Sequence, residues 1–210
     1  WEQRTNLRER YQLKRAKYFG PYPAVWDSKV LFIHVPKTAG SSIARLSVGR
    51  TFGHQTYRFY EEWCPKDRDI PPTFAVVRNP FSRYVSAFRY LNEGRGNHLD
   101  TGWGRRNNIF SSDLNSFAVQ HLKKPAVQTW MHFKPQIAFT EGSHGSVDTI
   151  LRFENLSTDW PSFARQFGLD ETLSKRKVAS PSPIELNDDA KAAIRDIYQQ
   201  DFAKFGYEDA

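Results

Sequence analysis

The feature that most constrains this chain is an almost continuous apolar run, Val30-Leu31-Phe32-Ile33-His34-Val35, leading directly into Pro36-Lys37-Thr38-Ala39-Gly40-Ser41-Ser42. A short apolar run without polar alternation is how a strand covered on both faces reads, and such strands belong to parallel sheets flanked by helices. Proline and glycine make the following stretch a turn, and from Ser42 onward Ile43 and Leu46 read as helix. Thr73-Phe74-Ala75-Val76-Val77 repeats the pattern. Asn79 is placed to cap a helix, Pro80 suits its first position, and Tyr84, Val85, Phe88 and Leu91 continue it.

Further along, Ile137–Thr140 and Thr149–Phe153 read as two more short strands. Helices are expected near 113–122 and 125–133, over 160–167 up to Gly168, and as one long amphipathic helix over 188–205. Residues 94–108, with Gly94, Gly96, Gly102 and Gly104, read as a loop. Strands alternating with helices predict a layered α/β domain with a mainly parallel sheet. Residues 1–19 read as a polar helix broken by Gly20, Pro21 and Pro23, so the expected division is a helical extension over 1–28 and a domain over 29–210. No internal repeat or low-complexity tract interrupts it.

The turn after the first strand carries chemistry. A tight turn opening a helix aims backbone N–H groups at one point, where the helix dipole adds positive potential. Gly40 admits a close backbone approach, Lys37 brings a full charge, and Thr38, Ser41 and Ser42 bring hydroxyls, with Ala39 contributing backbone. The result is a cradle for a terminal phosphate or sulfate. It is not a Walker A loop, because Lys37 precedes Gly40 rather than following the last glycine. A second unit is Arg78-Asn79-Pro80-Phe81-Ser82-Arg83-Tyr84-Val85-Ser86. An arginine at a strand end and the hydroxyl of Ser86 two helical turns on can hold a second, separate phosphate, with Arg83 on the same helix face. The formal charge of +7 agrees with anionic partners, among which composition leaves nucleic acid, phosphorylated nucleotides and acidic polysaccharides open.

With these two units the chain resembles the sulfotransferases that use 3′-phosphoadenosine 5′-phosphosulfate (PAPS), in the carbohydrate-type branch that includes heparan and chondroitin sulfotransferases and bacterial relatives. The likeness extends to Phe133-Lys134-Pro135-Gln136, Leu151-Arg152-Phe153-Glu154-Asn155-Leu156 and Asp201-Phe202-Ala203-Lys204-Phe205-Gly206-Tyr207, and so spans about residues 29–207. It implies a P-loop-like three-layer αβα sandwich and transfer of a sulfuryl group to a hydroxyl, in-line, with a carbohydrate as the expected acceptor. It places the 5′-phosphosulfate on residues 36–42 and the 3′-phosphate on Arg78 and Ser86. It also puts Gln136 near the acceptor, with a satisfied buried amide as the other reading, and His132, just before that segment, is a further candidate contact.

In-line transfer needs positive charge at the leaving oxygen, the role expected of Lys37, and a base for the acceptor hydroxyl. His54, in Gly53-His54-Gln55-Thr56, resembles the family's base position, and Glu61 and Glu62 are the fallback. His34 is read as packed, with cofactor contact as the other reading. Arg95, Arg105, Arg106 and Lys134 are available to an acidic acceptor. No metal is expected, since the donor already carries a good leaving group.

Two other readings stand beside this one. A P-loop kinase or phosphotransferase would share the cradle, but its second strand would normally end in an acidic Mg²⁺ ligand where this chain has Arg78. A non-catalytic basic module binding glycan or nucleic acid would share the charge but leave both phosphate units unexplained. Nucleic acid is therefore not an expected partner. Cys64, the sole cysteine, permits no intrachain disulfide, and no apolar run spans a membrane. A cytoplasmic enzyme is the expectation, with a Golgi-lumenal ectodomain as the alternative should an anchor precede Trp1.

Overall fold

The computed structural model describes residues 25–40, 42–43, 53–173 and 186–207. The helix expected over 1–19, and Ser41 of the cradle, lie outside the described residues.

Three strands, β1 (Leu31–Ile33), β2 (Thr73–Val77) and β3 (Thr149–Arg152), form a parallel sheet in the order β1-β2-β3 among the described residues. Phe32 lies opposite Phe74, and Val76 opposite Leu151. Side chains alternate across the pleat. On one face Phe32, Phe74, Val76 and Leu151 pack with Ile43 and with Leu156, Trp160 and Phe163 of helix α7 (Leu156–Phe167). On the other, Leu31, Ile33 and Ala75 pack with Tyr60 of α1 (Tyr57–Trp63) and Phe139 of α6 (Ile137–Thr140). Both faces are covered, which makes three layers and explains why the strands read as unbroken apolar runs.

A second body of core lies beyond the end of β2. There Phe81, Tyr84, Phe88 and Leu91 of α2 (Pro80–Asn92) meet Trp103 of α3 (His98–Arg106), Phe117 of α4 (Leu114–Gln120) and Val127 of α5 (Pro125–Gln128). Ile194 of α8 (Asp188–Ile197) and Phe202 of α9 (Gln199–Phe205) close it. Asn79 caps α2 as expected: its side chain accepts from the Phe81 and Ser82 amides, with Pro80 at the first helical position. Gly168 ends α7 in the left-handed conformation.

Four expectations are corrected. Ile137–Thr140 is a helical turn, not a strand, and the Asp201 carboxylate accepts from the Gln136 and Ile137 amides that open it. An apolar tetrad has no period that separates the two, so a distant carboxylate decides. Residues 98–106 are helical despite two glycines, because Asn97 and Asp100 form a reciprocal capping box and Gly104 makes room for Ile109 and Phe110. The helix over 188–205 breaks at Tyr198, whose hydroxyl donates to the Phe133 carbonyl at 2.6 Å in the core. Of 125–133 only Pro125–Gln128 is helical.

Candidate active site

β1 and β2 are parallel neighbours, so the segments leaving their carboxyl ends emerge at the same edge of the sheet. That edge is where open α/β sheets bind ligands. After β1, the Thr38 hydroxyl donates to the Val35 carbonyl at 2.9 Å and is buried. Lys37 and Ala39 both take left-handed backbone conformations, with φ of 73° and 67°. A non-glycine residue costs about 1–3 kcal/mol there and persists where surrounding structure enforces it. Left-handed residues interleaved in a turn curl successive N–H groups into an anion-binding concavity. Helix begins at Gly40, and the Ser42 amide donates to the Ala39 carbonyl at 3.0 Å. Gly40 has a neighbour the sequence did not reveal: any Cβ there would run into the His34 imidazole. The glycine answers to a side chain of its own chain.

After β2, Arg78 is braced from several sides. Its amide donates to Gln136 Oε1 at 2.9 Å, and its carbonyl accepts from Gln136 Nε2 at 2.8 Å. Gln136 is itself held by Asp201, which accepts from its amide at 2.8 Å. Next door, the Asn79 amide donates to Glu154 Oε1 at 2.8 Å, and the Tyr207 hydroxyl donates to Glu154 Oε2 at 2.7 Å. The three downstream segments that resemble the family are thus one scaffold around residues 78 and 79. Gln136 is fully buried with its amide oxygen and nitrogen committed to the Arg78 backbone, so its place is in that scaffold, away from the acceptor contact expected of it.

The Arg78 guanidinium lies 4.3 Å over the Phe153 ring. Its Nε donates to Ser82 Oγ at 2.9 Å, and its Nη1 reaches the Lys37 carbonyl at 3.3 Å. The two phosphate units therefore touch. Ser82, four residues on, holds Arg78 here, a partner the sequence reading passed over; Ser86 lies half-buried further along α2. Arg83, expected on the Ser86 face, is buried at 2% exposure, and its Nε donates to the Pro36 carbonyl at 3.1 Å. Its Nη2 has no hydrogen-bond partner among the described residues. Burial is the main pull on both guanidinium pKa values, which fall below their ordinary value.

Lys37 projects its ammonium 3.7 Å from the centre of the Tyr90 ring on α2. Burial above all, then Arg78 and Arg95, lower its pKa to about 8, with Asp100 opposing and Arg83 adding a smaller push. At that value the amine is still mostly protonated at neutral pH, and a nearby anion would favour the charged form further.

His54 sits beside the loop. Its ring lies 4.1 Å from the His34 ring, the same imidazole that Gly40 accommodates. His54 Nδ1 is 3.0 Å from the His34 carbonyl. A carbonyl only accepts, so this contact needs a proton on Nδ1 and leaves Nε2 with its lone pair in the neutral ring. His34 is packed: burial, then His54, hold its pKa down to about 3. The fallback carboxylates are engaged elsewhere. Glu61 accepts from the Ser143 and His144 amides, and Glu62 pairs with Arg58 at 2.7 Å. His132 is buried at 6% exposure against Tyr90 and Asp100. Arg95 pairs with Glu93 at 2.6 Å, and Lys134 lies 5.5 Å over Phe139.

The parallel sheet thus brings the turn at Lys37 and the side chains of Lys37, Arg78 and Arg83 together at one edge. A sequence model of the Sulfotransferase family matches residues 26–208, and the chain belongs to that family. It is an enzyme that transfers sulfate to a hydroxylated acceptor. Comparison with curated proteins and with solved structures returned no match. No helix among the described residues is long and apolar enough to cross a membrane.

Proposed function

We propose that the sulfuryl donor is PAPS and that the acceptor hydroxyl belongs to a carbohydrate. The observation that carries the donor assignment is the 3.3 Å contact between Arg78 Nη1 and the Lys37 carbonyl. It joins two separate cationic cradles at one sheet edge, as a ligand with two separated phosphate groups requires. The left-handed backbone at Lys37 and Ala39 and the unpartnered Nη2 of Arg83 fit anionic oxygens at the same place. In this reading Lys37, Thr38, Ala39, Gly40, Ser41 and Ser42 hold the 5′-phosphosulfate, while Arg78 and Ser86 hold the 3′-phosphate.

PAPS supplies the sulfuryl group and its own phosphate as leaving group when the acceptor oxygen displaces it in line. His54 takes the acceptor proton on Nε2, while the His34 carbonyl fixes the tautomer through Nδ1. The Lys37 ammonium holds the charge that develops on the leaving oxygen. Neither residue changes its covalent bonds apart from that proton. The carbohydrate acceptor rests on the resemblance to the carbohydrate-type branch.

The test is transfer of labelled sulfate from PAPS to a panel of glycans, with peptide tyrosine and small hydroxylated compounds as the other arms. The proposal expects labelled glycan and loss of label transfer in His54→Ala. Label on tyrosine alone would overturn the carbohydrate assignment, and a fully active His54→Ala would overturn the base.

A further inference from the structure

The ammonium of Lys37 does not stand alone over its ring. Tyr90, on α2, carries it at 3.7 Å from the ring centre. The His132 ring packs on Tyr90 with centroids 5.0 Å apart and planes inclined at 54°. His132 Nε2 approaches Asp100 Oδ1 at 3.4 Å, long for a hydrogen bond but close for a charge and a dipole. The other oxygen of Asp100 accepts from the Asn97 amide at 3.2 Å, which ties the carboxylate to the start of α3. Three segments remote in sequence therefore meet behind one lysine, and two of the three side chains are buried.

Burial of a carboxylate and an imidazole is costly unless they serve each other or a ligand. Among the described residues, neither ring nitrogen of His132 has a close hydrogen-bond partner. Burial lowers its pKa, with Lys37 and Arg83 adding to the effect and Asp100 opposing it, so the ring is neutral at neutral pH. A neutral imidazole between an anion and an aromatic ring adds packing and a dipole without competing for the charge that the carboxylate offers Lys37.

We propose that Tyr90, His132 and Asp100 form a positioning unit for the Lys37 ammonium, holding it charged and in place before the donor arrives. The proposal rests on the reading of Lys37 as the residue that meets the leaving oxygen, and it assigns what prepares Lys37 for that role. Tyr90 offers the negative face of its ring, a contribution of the kind that favours a cation over a neutral amine. Among the described residues, Asp100 offers the carboxylate that opposes the cations Arg78, Arg83 and Arg95 facing the same lysine. His132 is the spacer that fixes ring and carboxylate relative to each other. These are positioning residues, acting through Lys37.

The experiment follows the titration of Lys37 directly in the ligand-free full chain, by carbon NMR of ¹³C-labelled lysine side chains between pH 6.5 and 10.5. The resonance is assigned by its absence in Lys37→Met. The titration midpoint should lie near 8 in the wild type. It should fall in Asp100→Asn and in Tyr90→Leu, by roughly half a pH unit or more, the size a cation–ring contact or a nearby charge supplies. Tyr90→Phe, which keeps the ring face, should leave it in place. A parallel readout is the affinity for adenosine 3′,5′-bisphosphate measured by calorimetry from pH 7 upward, above the second phosphate pKa of about 6. That affinity should weaken at lower pH in Asp100→Asn than in the wild type.

An unmoved Lys37 midpoint in both Asp100→Asn and Tyr90→Leu overturns the positioning unit while leaving Lys37 in its role. A bisphosphate affinity in Lys37→Met equal to the wild type at every pH would instead overturn the site reading beneath it. Should Asp100→Asn fail to fold, the pair Tyr90→Leu and Tyr90→Phe decides the matter, since Tyr90 is only partly buried.

Discussion

The two halves of the site are built on opposite principles. Around Arg78 the backbone is held by partners from far along the chain: Gln136 takes its amide and carbonyl, and Glu154 takes the amide of Asn79. Around Lys37 the structure holds two left-handed non-glycine residues, a half-buried ammonium and a buried guanidinium with a spare N–H group. One half is satisfied before any ligand binds, and the other is incomplete without an anion. In the proposed reading the contrast separates anchoring from chemistry: a braced point fixes the donor, and a strained, half-buried cation gains most when charge develops beside it.

The sharpest way to break this contrast is at the base. His54→Ala should lower turnover by roughly 10²–10⁴-fold while bisphosphate affinity stays near wild type, because in the proposed reading His54 meets the acceptor oxygen and not the donor. Steady-state rates beside calorimetry check it, and an equal loss in both would put His54 among the donor contacts.

Lys37→Met should come next, with turnover down about 10²–10³-fold and thermal stability up. The sign follows from linkage. Lys37 has a folded pKa of about 8, below its ordinary 10.5, so the folded state binds fewer protons than the unfolded one between those values. Wild-type stability therefore climbs with pH across that window, and below it the cost of the buried charge is fully present. Removing the charge should raise the melting temperature by several degrees, on the order of 2–4 °C per kcal/mol for a chain of this size. A melting temperature that falls instead would show that the lysine stabilises the free protein.

The Arg78 side should behave in the opposite way. Gln136→Leu leaves the Arg78 amide and carbonyl and the space around them without partners, at a cost of about 1–3 kcal/mol for each unsatisfied buried group. It should therefore lower the melting temperature and weaken the preference for a 3′-phosphate together. A stable variant with intact preference would remove Gln136 from the scaffold.

The smallest effect is in pH. Donor capture, read as kcat/KM for PAPS, should fall about tenfold per pH unit above the Lys37 value of about 8, since only the protonated amine offers a charge. Lys37→Met should lack that limb.

Much of this was legible in sequence because it is local. Apolar runs at 30–35 and 73–77 flanked by turn residues, the Asn79-Pro80 cap and the Lys37 turn are short-range patterns. What escaped is what depends on pairs distant in the chain. Gln136 reads equally as an acceptor contact or a satisfied buried amide until Asp201 and Arg78 are seen to surround it, and Ile137–Thr140 reads as a strand until Asp201 caps it. Gly40 reads as room for a ligand until His34 occupies that room. Tyr90 and Asp100 carried no signal at all, because an aromatic ring on α2 and a carboxylate in a glycine-rich stretch acquire meaning only once α2 and α3 place them beside Lys37.

The central claim is that one ligand with two separated phosphate groups bridges the Lys37 and Arg78 halves. The measurement that meets it most directly is calorimetric binding of adenosine 3′,5′-bisphosphate and of 5′-AMP to the wild type and to Arg78→Ala. The account predicts that the wild type prefers the bisphosphate by at least about tenfold, the size of one charge-assisted contact worth roughly 1.5–3 kcal/mol, and that Arg78→Ala binds the two ligands alike. Equal affinity of the wild type for both ligands, or a preference that survives the loss of Arg78, would contradict it.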